Sequence, residues 1–131
     1  MDATYFIRRS TGLLRFDPKK GTKHFDPWWA LLECDDGIVG FYAWLLKSYG
    51  IASYPNKLWG PHISVIKGDP ANDLWGCREG EEVDFWYTDN IRWDNGKHAW
   101  LDCYSERMSE IRVELGLPPK AHFHLTIGLL R

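Results

Sequence analysis

The sequence predicts an α+β fold. It is built from two pseudo-symmetric β-α-β lobes, each sheet augmented by antiparallel strands, around a central cleft. Three observations carry this. Apolar residues switch between the period of two of a strand and the three-and-four spacing of a helix. The order strand, helix, Pro-bearing loop, strand occurs twice. Each copy ends on a His followed two residues later by a hydroxyl residue. A chain of 131 residues defaults to one domain. Lobe one is expected over about 1–70 and lobe two over about 71–131.

In chain order, residues 4–9 read as a first strand. Residues 10–26 read as a loop, with Gly12, Pro18 and Gly21 breaking any period. Trp28 to Cys34 reads as a strand. Asp35 and Asp36 suit a helix start, because a carboxylate accepts from the free N–H groups there. Ile38 to Tyr49 then forms a broadly apolar helix stopped by Gly50. A loop with Pro55, Gly60 and Pro61 leads into His62-Ile-Ser-Val-Ile66, an alternating strand. The polar stretch 71–82 joins the halves. Val83 to Thr88 alternates as a strand, Trp93 marks a short extended piece, and Asp94-Asn95-Gly96 is a turn. Lys97 to Cys103 returns as a strand. Ser105 caps a helix over Glu106 to Leu115, with Met108, Ile111 and Leu115 as its apolar face. Gly116 and Pro118-Pro119 end it, and Ala121 to Leu130 is the last strand.

Composition narrows function. Sixteen Lys and Arg against eighteen Asp and Glu give a net charge of −2. That excludes a dominant grip on long nucleic acid, which needs many phosphate-neutralising cations. A short nucleotide held by a few contacts stays open. No apolar run approaches the roughly 20 residues of a membrane span, and no signal peptide is evident at the N-terminus. The expected location is cytoplasmic. Three widely spaced Cys (Cys34, Cys77 and Cys103) are not a disulfide framework. Cys34 and Cys103 hold equivalent places in the repeat and read as buried structural thiols.

The chemistry sits at the repeat ends, His62-Ile63-Ser64-Val65 and His124-Leu125-Thr126-Ile127. A period of two puts His62 and Ser64 on one strand face, and likewise His124 and Thr126. Two imidazoles and two hydroxyls then converge across a pseudo-twofold axis. With these two motifs, one in each half, the chain resembles the 2H phosphoesterase superfamily. That group includes RNA 2′,3′-cyclic phosphodiesterases, RNA ligase-like repair enzymes and phage enzymes that destroy cyclic oligonucleotide signals. The resemblance covers the chain from about Trp28 onward and implies a bilobal fold. The activity it implies is metal-independent cleavage of a nucleotide or oligonucleotide phosphodiester. A phage counter-defence role in a host cytoplasm would fit such a compact chain.

His62, Ser64, His124 and Thr126 are the expected catalytic set. One neutral imidazole would take a proton from the nucleophile, and the other, protonated, would give one to the leaving oxygen. Ser64 and Thr126 would donate to the phosphoryl oxygens. Trp59, Trp75, Lys67, Tyr104 and His122 are the expected substrate-binding residues, the two loop Trp as platforms for a base. Lys67 and Arg131 follow the motif strands and could neutralise a phosphate. His24, His98 and the Lys19-Lys20 pair read as exposed. Trp29, Trp44 and Trp100, in regular elements, read as core. No metal or cofactor is required; a zinc site on His122, His124 and His62 is the minor alternative. The expected partner is a small nucleotide, a cyclic oligonucleotide or an RNA terminus, with no membrane and no long DNA. The rival functions are a non-catalytic nucleotide-binding module and an interaction domain whose aromatics form the partner surface.

Overall fold

In the computed structural model every strand pairs antiparallel. The structure describes residues 8–17, 28–54, 60–94 and 97–130. The elements are β1 (Arg8–Phe16), β2 (Trp29–Glu33), α1 (Asp36–Ser48), β3 (Ser53–Tyr54), β4 (His62–Lys67), β5 (Glu82–Tyr87), β6 (Arg92–Trp93), β7 (His98–Tyr104), α2 (Glu106–Glu114) and β8 (Phe123–Leu130). Among the described residues, six strands close on themselves in the order β1-β2-β4-β8-β7-β5. The two-residue β3 and β6 extend β8 and β7 at their margins. Closure leaves no long free edge for another chain to pair with.

This corrects the expected architecture. The chain is one closed barrel with two helices, not two lobes around a cleft, and a bilobal 2H phosphoesterase fold is not what it adopts. The error lay in reading strand–helix–strand as a parallel crossover. Glu33, the end of β2, pairs with His62, the start of β4. The chain therefore leaves and re-enters the barrel at one end, and α1 lies across that end instead of running back along the sheet. Tyr42 and Leu46 of α1 are buried there, and Tyr42 meets Tyr87 edge-on at 6.5 Å. At the other end α2 packs on β5 and β4 and buries Met108 and Ile111. Inward residues of the strands, among them Leu14, Phe85, Leu101 and Phe123, fill the space between.

The caps follow the sequence. Asp35 Oδ1 accepts from Gly37 N–H at 2.8 Å. Ser105 Oγ accepts from Met108 N–H at 3.2 Å while its own hydroxyl donates to the Asp84 carbonyl at 2.8 Å. Trp44 departs from expectation: it faces out of α1 at 62% exposure.

Residues 10–16, expected as loop, belong to β1; residues 4–7 lie outside the described part, as do 18–26. Gly12 explains the misreading. It interrupts the apolar pattern because a Cβ there would sit 2.6 Å from the Glu33 carbonyl oxygen and 2.7 Å from Leu32 Cγ. Backbone cannot yield to it as a side-chain tip would. Gly12→Ala is therefore expected to cost roughly 1–3 kcal/mol by overpacking. Thermal denaturation should show Tm lower by about 5 °C or more.

Candidate functional site

The two motifs come together on the outside of the barrel. Ile63 of β4 pairs with Leu125 of β8. Both are fully buried, so their neighbours in sequence point outward. An antiparallel register through that pair runs Ser64 towards His124 and His62 towards Thr126. Residues from opposite halves of the chain thus share one outer face. Two bulges shape it. The register of β4 on β2 skips Val65, and that of β8 on β7 skips Ile127. Each extra residue directly follows the hydroxyl residue of its motif, where a bulge bends the strand and re-aims its side chains.

An indole flanks each imidazole. The Trp29 ring on β2 meets His62 edge-on at 5.4 Å, and its N–H donates to Ser64 Oγ at 3.1 Å. The Trp100 ring on β7 lies tilted over His124 at 5.2 Å. The two Trp reach these places from different registers: Leu31 opposes Ser64, but Trp100 itself opposes Thr126. Both are half-buried. They were expected in the core and instead line the motif face.

The acids also differ. Asp102 pairs with His124, and its Oδ1 lies 3.7 Å from His124 Nε2. Asp102 Oδ1 also accepts from Trp100 N–H at 3.1 Å, and Oδ2 accepts from Arg92 at 3.0 Å. Arg92 lies over the Trp100 ring at 5.8 Å. Glu33 holds the matching position opposite His62 but pairs with Arg15 at 3.3 Å.

Both imidazoles titrate below the ordinary histidine value. For His62 the main cause is burial. The Gly60 carbonyl at 2.7 Å from Nδ1 works against it, and Lys67 adds to it. Burial lowers His124 as well; Asp102 pulls it back up, and Lys120, Arg92 and His122 push it down. Both rings are mainly neutral at pH 7, with the His62 proton on Nδ1, donated to the Gly60 carbonyl, and Nε2 left as an acceptor.

The other expected binding residues scatter. Lys67 is exposed at the end of β4, close enough to act on His62. His122 is exposed just before β8, and its charge reaches His124. Tyr104 ends β7 and donates to Glu106 Oε1 at 3.3 Å, bordering an open groove of about 840 Å³ along α2. Trp75 is a packing residue in this fold: it meets Phe16 and Trp28 edge-on, and its N–H donates to Asp17 Oδ2 at 2.7 Å. Trp59 and Arg131 lie outside the described residues. Cys34 and Cys103 are thiols facing their own strands' carbonyls, at Leu32 and Leu101. Burial pushes Cys34 up to about 12 and Cys103 well up too, so neither is a nucleophile at neutral pH.

Asp102, Arg92 and the bulges went unpredicted. Alternation in His98-Ala-Trp-Leu-Asp102 does put Trp100 and Asp102 on one face, so a signal for Asp102 was present. Nothing local marks the bulges.

This geometry overturns the expected enzyme. The motifs lie on a convex barrel wall, not in a cleft between lobes that could hold a phosphodiester between two imidazoles. The two-histidine phosphodiesterase, its cyclic-nucleotide hydrolase activity and the phage counter-defence role rested on that cleft and are withdrawn. Among the described residues no three His, Cys, Asp or Glu side chains are grouped to hold a metal ion. None of the described helices is long and apolar enough to cross a membrane. No family model, curated protein or solved structure matches the chain.

Proposed function

We propose that the protein binds a small phosphate-bearing ligand of the nucleotide class on the outer wall over the β4–β8 join. A mononucleotide, a cyclic nucleotide and an RNA terminus share that chemistry. One observation carries the reading: closure sets two His-x-Ser/Thr segments on neighbouring strands, facing outward, with an indole beside each imidazole. Ser64 Oγ accepts from Trp29, so its own hydroxyl proton is free to point at a phosphoryl oxygen. Lys67 and Lys120 act on the two imidazoles as positive charges, while Arg92 is paired with Asp102 on the same face. The half-exposed indoles offer flat surfaces to a base. A net charge of −2 favours a small ligand over a long polymer. A reducing, cytoplasmic setting belongs to the same proposal and is supported by free thiols at Cys34, Cys77 and Cys103.

Isothermal titration of the full chain with 2′,3′-cyclic AMP tests this. At pH 5, where binding an anion favours the protonated imidazoles, saturable binding is expected, with His62→Ala and His124→Ala each at least about tenfold weaker, the loss of one charge-assisted hydrogen bond. Absence of saturable binding, or undiminished affinity in either variant, overturns the reading.

A further inference from the structure

A second concavity lies at the end of the barrel covered by α1. It has a volume of about 350 Å³ and is lined by Arg8, Asp35, Ile38, Phe41, Tyr42 and Tyr87, with Gly37 at its rim. Arg8 begins β1 and pairs through the backbone with Tyr87, the last residue of β5. Tyr42 comes from α1, and its ring stands at 89° to that of Tyr87. The apolar walls are therefore three aromatic rings and an isoleucine, and two of the rings, Tyr42 and Tyr87, also belong to the buried core.

Arg8 is the unusual member. Arg9, Arg15, Arg78, Arg92 and Arg107 each pair with a carboxylate. Arg112 donates to the carbonyls of Pro118 and Val65. Among the described arginines, Arg8 alone has neither kind of partner; its neighbour is the Tyr42 hydroxyl. Asp35, the one carboxylate of the lining, is not paired with Arg8, so the guanidinium presents parallel donors to an incoming carboxylate. Barrel mouths lined by apolar rings with a few convergent polar groups are a common place for small ligands.

We propose that this pocket binds a small aromatic monocarboxylate, with its carboxylate on Arg8 and the Tyr42 hydroxyl and its ring against Phe41, Tyr42 and Tyr87. Charge selects the anion. Asp35 keeps one carboxylate oxygen on Gly37 N–H, and its negative charge stands on the same rim. Arg8 is the one cation of the lining and Asp35 already stands against it, so a second negative charge on the ligand would have no counter-charge, and a monocarboxylate is favoured over a phosphate dianion. The volume suits one ring and a short side group, near the small end of ligand sites. Phe41 is more than half exposed, so a bound ring gives it the cover it lacks.

The test is a titration of the ¹⁵N-labelled full chain with sodium benzoate, followed by amide shifts. Saturable shifts are expected at Arg8, Gly37, Ile38 and Tyr87, with His62 and His124 unmoved. Arg8→Gln and Phe41→Ala, both at exposed positions, should keep Tm and weaken benzoate at least about tenfold. Benzyl alcohol, the same ring without the charge, should bind about tenfold more weakly, and inorganic phosphate should not shift these amides. Failure of benzoate to saturate overturns the proposal. So does undiminished binding in Arg8→Gln, or equal binding of benzyl alcohol or phosphate.

Discussion

Leu125→Ala is expected to remove about 2–5 kcal/mol of stability, a large part of what holds a domain of this size folded. Leu125 is fully buried at the pair that joins the chain's two halves, beside Ile63 on one strand and Leu101 on the other. Six strands enclose a narrow interior, so the cavity left by three missing carbons has little room to collapse. Leu129, four residues along the same strand, is 45% exposed. Leu129→Ala should cost within about 0.5 kcal/mol. Urea denaturation of the two variants reads the contrast directly. Equal losses would mean that β8 does not run through the closed interior.

The second large effect is on pH. Both motif histidines titrate below their ordinary value, His62 chiefly through burial and His124 chiefly through burial against the pull of Asp102. A cyclic phosphodiester keeps a single negative charge across the range from pH 5 to 8, so any change in affinity comes from the protein. As pH falls and the imidazoles charge, each contact becomes a charge-assisted hydrogen bond, worth about 1.5–3 kcal/mol. Affinity for 2′,3′-cyclic AMP should thus rise at least about tenfold between pH 7.5 and 5.

Stability of the empty protein should move the other way. The folded histidine values lie below the unfolded ones, so the unfolded chain takes up protons first as pH drops through the ordinary histidine range. Their contribution is complete above that range and is lost on the way down. Falling Tm with rising affinity over the same interval is the expected signature. A flat affinity profile would mean that the imidazoles do not touch the ligand.

Local features of the fold were legible because local chemistry sets them. Asp35, Ser105, Gly50 and Gly116 bound two helices, and the alternating runs at 62–66 and 83–88 mark strands. Closure was not legible. Whether β4 runs with or against β2 depends on which end α1 crosses, and that is settled by Tyr42 and Leu46 finding the open end of a barrel. An apolar helix can lie along a sheet or across its end with the same sequence period. Trp44 shows the cost of reading broad hydrophobicity as burial: only one side of α1 meets the core.

The site divides in the same way. Period two set His62 with Ser64 and His124 with Thr126, and pairing brought the two sets onto one wall. The resemblance then supplied a cleft that this chain does not form. Trp29 and Trp100 were assigned inward because a large ring in a strand usually packs in the core, but they alternate with the buried Ala30 and with the buried Ala99 and Leu101, and so stand on the outer face.

The central claim is that the joined outer face of β4 and β8 holds the ligand. Side-chain NMR of the histidine rings and indole N–H groups during titration with 2′,3′-cyclic AMP at pH 6 tests it most directly. Saturable shifts of His62, His124 and the Trp29 and Trp100 indoles, sharing one affinity, are the predicted result. Saturation with those four signals unmoved, or no saturation at all, would contradict it.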